Sequence, residues 1–153
     1  LYIVGNGSLS EYVSARISKE GLSHVFQLGW LGNSQVHDLL RDMHVFILPS
    51  HTEGFPNALL EALASGLPAI ATGVGAIPDV LVPNSNGFIV DVNDSYAISV
   101  NIQRYISDRS LIPLHSKAAL AGVAESHDRN INCKRLLDLL FSRSNPTVIG
   151  HDT

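Results

Sequence analysis

Short runs of consecutive apolar residues alternate along this chain with stretches in which apolar residues recur every three or four positions. The first run, Leu1-Tyr2-Ile3-Val4, ends in Gly5-Asn6-Gly7 and predicts a strand followed by a turn. Leu9, Tyr12, Val13 and Ile17 then share a helical face that Gly21 closes. His24 to Leu28 predicts a second strand, closed by Gly29. Val36, Leu39, Leu40 and Met43 form the next amphipathic face, with Asn33 or Ser34 as its cap. Val45 to Leu48 is apolar at every position, as expected of a strand buried on both faces of a parallel sheet. Asn57 to Ser65 predicts a helix with Pro56 as a first-turn proline and Gly66 past its end. Ala69 to Ala71 is a strand, Gly73 and Gly75 form a loop, and Ile77 to Leu81 is a short helix with Pro78 near its start. Gly87 to Val90 is the fifth strand. Ile98, Ile102, Tyr105 and Ile106 mark a helix, Pro113 opens another, and Leu136, Leu137, Leu140 and Phe141 mark a terminal one.

Strict alternation of short apolar strands with amphipathic helices predicts an α/β fold, a Rossmann-like doubly wound parallel sheet with a helical C-terminal tail. Neither repeats nor an internal linker interrupt it, so residues 1–144 read as one domain and 145–153 as a flexible tail. The length of 153 residues allows a substantial core. A hydrophobic fraction of 45% against 16% charged residues excludes a disordered chain. Longer apolar runs of the kind a membrane span needs are absent. A formal charge of −4 argues against a nucleic-acid binder. The single cysteine, Cys133, excludes an internal disulfide framework and suits the reducing cytoplasm.

In open α/β sheets ligands bind at the carboxyl ends of the strands. Three loops belong there: Gly5 to Ser8, Pro49 to Asn57, and Thr72 to Ile77. The middle one carries the most chemistry. It feeds directly into a helix, whose first free N–H groups, on Asn57 and Ala58, would form an anion site. Glu53 precedes that helix and Glu61 lies just over one turn into it. Two carboxylates therefore bracket one phosphate-binding turn, and a carboxylate accepts the paired hydrogen bonds that vicinal hydroxyls donate. A sugar joined to a nucleotide through a diphosphate has hydroxyls at each end and phosphates between.

The segment Glu53-Gly54-Phe55-Pro56-Asn57-Ala58-Leu59-Leu60-Glu61 resembles the E-x₇-E motif of retaining glycosyltransferases of the GT-B fold, especially glycosyltransferase family 4. Pro49-Ser50 before it, Glu61-Ala62-Leu63-Ala64-Ser65-Gly66-Leu67-Pro68 after it, the turn Gly75-Ala76-Ile77-Pro78-Asp79 and the strand Asn86-Gly87-Phe88-Ile89-Val90 match the same family in register, over residues 1 to about 106. The resemblance implies the donor-binding C-terminal half of such an enzyme. Glu53 would hold the donor sugar and serve as the catalytic carboxylate. Glu61 would hold the ribose. Gly54, Phe55, Pro56, Asn57 and Ala58 would line the sugar and phosphates, Gly29, Trp30 and Leu31 would lie by the base, and His51 near the donor. Glycosyl transfer with retention, without metal or other cofactor, would serve surface polysaccharide or glycolipid synthesis at the inner face of the membrane. The acceptor, a glycan or a lipid-linked one, would be bound by an N-terminal domain outside this chain.

Two positions depart from the family turn. Ala76 stands where the family has glycine and Asp79 where it has glutamate, so a methyl group is expected to tighten the turn and the carboxylate to reach less far. The family's first strand, and the Arg and Lys that neutralise the diphosphate, precede the segment matching Leu1. The resemblance therefore implies an N-terminally truncated sheet in which Leu1 to Val4 and Val45 to Leu48 flank the place of that strand.

Bland readings stand beside the sharp ones. Gly5-Asn6-Gly7 lacks the third glycine of a dinucleotide fingerprint, since Ser10 occupies its place, and a tight turn explains the pair. Trp30 suits a core anchor as well as a base contact. The histidines other than His51 show no metal spacing. Two further functions compete: a GT-B nucleotide-sugar epimerase, and a non-catalytic nucleotide-sugar-binding subunit.

Overall fold

The computed structural model describes residues 1–126. The predicted terminal helix around Leu136 to Phe141, Cys133 and the tail from 145 lie outside the described residues. The chain forms two units, Leu1–Asp42 and Met43–Thr153.

The first unit contains β1 (Tyr2–Val4), α1 (Ser10–Lys19), β2 (Phe26–Gly29) and α2 (Asn33–Asp42). Its two strands pair in parallel, with Tyr2 opposite Phe26 and their rings stacked at 5.2 Å. Gly21 ends α1 as predicted: its N–H bonds back to Ser18 and that of Leu22 to Ile17. The apolar face of α1 is narrower than its spacing suggested. Val13 and Ile17 are half-buried, whereas Tyr12 is exposed and Leu9 is an exposed N-cap. The cap of α2 is neither Asn33 nor Ser34. Gly32 supplies the first helical carbonyl, to Val36, while the Gln35 side chain accepts the Gly32 N–H at 3.0 Å. A residue without a side chain can cap when a glutamine three positions on reaches back.

The second unit contains β3 (Phe46–Leu48), α3 (Asn57–Ala64), β4 (Ala69–Thr72), α4 (Ile77–Val80), β5 (Gly87–Val90), α5 (Ser95–Ser107) and α6 (Leu111–Ser126). Its parallel sheet has the order β3-β4-β5. The strand buried on both faces is therefore β4 and not the run Val45 to Leu48, whose residues are only half-buried. Sequence composition alone could not separate the two, because burial is set by position in the sheet. Ala69 and Ala71 face Leu59 and Leu63 of α3, Ile77 and Val80 of α4 and Ala119 of α6. Ile70 faces the other way, into Phe88, Val90 and Tyr105. The result is a parallel sheet with a helical layer on each side, the Rossmann-like arrangement predicted.

Three further expectations need correction. Pro56 is the N-cap of α3, not a first-turn residue, and it is fully buried. Pro113 does not open α6, which begins two residues earlier at Leu111; proline is tolerated there because first-turn N–H groups have no helical acceptor. On α5 the inward face passes through Asn101 and Tyr105, leaving Ile106 exposed. The cap of α5 is Asp94, whose carboxylate accepts the Ala97 N–H at 2.8 Å.

One polar cluster is built into this core. Tyr105 and His115 are buried, and the Tyr105 hydroxyl lies 2.8 Å from His115 Nδ1. The backbone of Asn84 also approaches the ring. Burial first, and the Arg104 charge after it, hold His115 below its ordinary value of 6.5, with the Asn84 carbonyl opposing them. The unfolded chain therefore takes up this proton more readily than the folded one. Its stabilising contribution is complete above pH 6.5 and is lost as pH falls below that value. Thermal midpoints measured from pH 8 to pH 5 should fall more steeply for the native protein than for His115→Gln, which has no proton to gain; parallel curves would refute this.

Candidate functional site

The loop between β3 and α3, residues 49–56, is held in place from two sides. Thr72 is buried at the end of β4, and its hydroxyl donates to the Ser50 carbonyl at 2.6 Å. The Ser50 hydroxyl in turn donates to Glu53 Oε1 at 2.7 Å, an ordinary length for a hydroxyl donor. On the other side the Ala76 N–H donates to the Gly54 carbonyl at 3.3 Å. Gly75 lets the two loops meet: its φ is +55°, and a Cβ built there would lie 2.0 Å from the Glu53 carbonyl oxygen. Only glycine fits such a backbone contact.

Glu53 is half-buried in this loop, and Glu61 is exposed on α3 one turn along from Asn57. Gly54, Phe55, Asn57 and Ala58 are exposed around the helix start and Pro56 is buried beneath it. Of the two amides expected to be free, the structure removes one. The Asn57 N–H donates to the Phe55 carbonyl at 2.9 Å, because the turn into α3 closes on itself. The Ala58 N–H has no acceptor among the described residues. Helix α3 ends at Gly66 with the predicted stop: the Leu67 N–H returns to Ala62 and that of Gly66 to Leu63.

His51 is exposed on the same loop. In the first unit, Gly29 closes β2 with its carbonyl bonded to the Gly5 N–H, and Leu31 is half-buried. Trp30 is 75% exposed, which removes the core-anchor reading. The methyl of Ala76 does not tighten its turn: with φ −85° and ψ 8° the residue is an unstrained N-cap of α4. Steric pressure falls one position earlier, on Gly75. Asp79 is exposed in the first turn of α4. Among the described residues, no three His, Cys, Asp or Glu side chains cluster to hold a metal ion, and no helix is long and apolar enough to cross a membrane.

In the sequence Ser50 stands out only as a flank of the Glu53 motif, Gly75 only as part of a loop and turn, and Thr72 only as the start of that strand-end loop. A serine three residues before a glutamate in a loop was the available signal for the first. Nothing local marks Thr72, whose partner is 22 positions away.

The loop that carries Glu53 follows β3 at its carboxyl end, where parallel α/β sheets bind their ligands. The model of the family "Glycosyl transferases group 1" matches residues 1–121, and the chain belongs to that family. The amylovoran biosynthesis glycosyltransferase AmsK of Erwinia amylovora is 27% identical over 145 residues, 90% of this chain and 36% of its own length. Among solved structures, HepE of Anabaena, in complex with UDP, superposes with a TM-score of 0.80 at 22% identity, covering 92% of this chain and 40% of that one. The C-terminal domain of the group 1 glycosyl transferase LpcC of Francisella tularensis gives 0.73 at 25% identity, covering 79% and 63%. The chain spans about a third of the length of curated relatives such as AmsK.

Proposed function

We propose that this chain is the donor-binding half of a retaining glycosyltransferase that uses a nucleotide-diphosphate sugar. The observation that carries the reading is the pinned Glu53 at the mouth of α3, with Glu61 one turn along the same helix. Glu53 takes the hydroxyls of the donor sugar and stands at the reacting centre. Glu61 takes the ribose, and the Ala58 amide with the Gly54 to Asn57 turn lines the phosphates. His51 serves the donor side. An N-terminal domain outside this chain brings the glycan or lipid-linked acceptor. The α3 start then stabilises the departing diphosphate by fixed dipoles, which requires no metal. The neighbour solved with UDP, the same protein solved with UDP-glucose, and a relative that serves amylovoran biosynthesis support this reading. Work at the cytoplasmic face of the membrane, on surface polysaccharide, fits it.

Calorimetry with UDP and UDP-glucose tests the division of labour. Glu61→Ala should weaken both ligands about tenfold, the loss of one charge-assisted pair. Glu53→Ala should weaken UDP-glucose by about the same factor and leave UDP unchanged. Equal losses of bare UDP in both variants would overturn the assignment.

A further inference from the structure

A glutamate on a surface loop has three rotatable bonds, and ordering it on binding costs rotamer entropy. This one is ordered in the free protein. Its Oε1 accepts the Ser50 hydroxyl at 2.7 Å, while among the described residues Oε2 accepts from nothing. Ser50 has one hydroxyl proton and commits it to Glu53. Ser50 is itself fixed through its backbone: the Thr72 hydroxyl, buried at the end of the central strand β4, donates to the Ser50 carbonyl at 2.6 Å, and the alternative acceptor, the Leu48 carbonyl, is far longer at 3.5 Å. On the far side of Glu53, the Gly54 carbonyl is fixed by the Ala76 N–H. A local serine–glutamate turn would need neither anchor.

We propose that Ser50 is a positioning residue for Glu53, with Thr72 as its anchor: the pair holds one carboxylate oxygen so that the other is presented to a hydroxyl of the donor sugar. The proposal rests on the donor-site reading above. The serine touches no substrate and acts only through the carboxylate. Its contribution is preorganisation, which raises affinity by removing an ordering cost. It concerns sugar-bearing ligands alone, because the diphosphate and ribose meet other groups.

The test compares Ser50→Ala, Ser50→Thr and Thr72→Val with Glu53→Ala, titrating UDP-glucose and bare UDP and recording thermal midpoints. Ser50→Ala should bind UDP-glucose about tenfold more weakly, the cost of ordering one glutamate side chain on binding, with UDP affinity held. Ser50→Thr, which keeps the hydroxyl, should restore binding, and Thr72→Val should fall between. In a crystal structure of Ser50→Ala the Glu53 carboxylate should leave its native position. Unchanged UDP-glucose affinity in Ser50→Ala, alongside a loss in Glu53→Ala, would overturn the role of Ser50 and leave the donor site standing. Equal losses of UDP and UDP-glucose in Ser50→Ala would show a merely structural residue. A native protein that binds UDP-glucose no better than UDP, with Glu53→Ala changing neither, would overturn the donor-sugar reading and this proposal with it.

Discussion

Replacing Gly87 by alanine is expected to cost about 4 kcal/mol, at the upper end for a single substitution, and to lower the thermal midpoint by about 10 °C. Gly87 is buried at the start of β5, directly opposite Ala69 of the central strand. A Cβ there would lie 2.0 Å from the Ala69 carbonyl oxygen and 2.8 Å from Leu81 Cδ1. The leucine tip can move, but the carbonyl cannot: it belongs to a ladder whose two faces both carry the core. Relief requires β5 to part from β4, which breaks parallel pairing and unseats Phe88 from Ile70 and Tyr105. Close packing leaves no slack for this. Gly7→Ala is the control, since a Cβ there meets nothing within 4 Å and should change stability by less than about 1 kcal/mol. Equal melting curves for the Gly87 variant and the native protein would show that the β4–β5 contact is not as tight as described.

Gly75→Ala is expected to abolish preferential binding of a sugar nucleotide, here UDP-glucose, while leaving the β3-β4-β5 sheet folded. Two costs coincide at this residue. The left-handed backbone, φ +55°, costs a residue with a side chain about 1–2 kcal/mol. The new methyl would also lie 2.0 Å from the Glu53 carbonyl oxygen and 2.8 Å from its carbon. The surface loop is the softer partner, so the 53–54 segment moves and carries the Glu53 carboxylate away from Ser50. The expected loss of UDP-glucose affinity is tenfold or more, since a displacement of about 1 Å undoes a positioned contact. Bare UDP should be affected less. Gly73→Ala separates loop geometry from loop composition: its Cβ meets only the Ile89 side-chain methyl, at 3.0 Å, without a left-handed φ, and that methyl can shift. Native affinity in the Gly75 variant would mean that Glu53 is not held through this contact.

What the amino-acid order determined by itself is whatever depends on neighbours within about five positions. The alternation of apolar strands and amphipathic helices placed all five strands and the helices of residues 1–126, because short apolar runs and the 3.6-residue helical period are both local patterns. Glycine stops at Gly21 and Gly66 were legible for the same reason, since the bonds that close those helices span only a few residues. The candidate carboxylates Glu53 and Glu61 were singled out by the resemblance that surrounds them. Tertiary structure decided the rest. Val45 to Leu48 and Ala69 to Thr72 are both apolar runs, and only the sheet order made the second central. Gly32 became a cap because Gln35 reached back, and Asn57 lost its free amide because Phe55 folded under it. His115 became a buried partner of Tyr105 only when α6 packed beside α5. The anchoring of Glu53 needed Thr72 and Gly75, each about 22 positions away along the chain, to arrive at one loop. Hydrogen bonds and steric contacts of that range depend on the distance between elements, which no local period encodes.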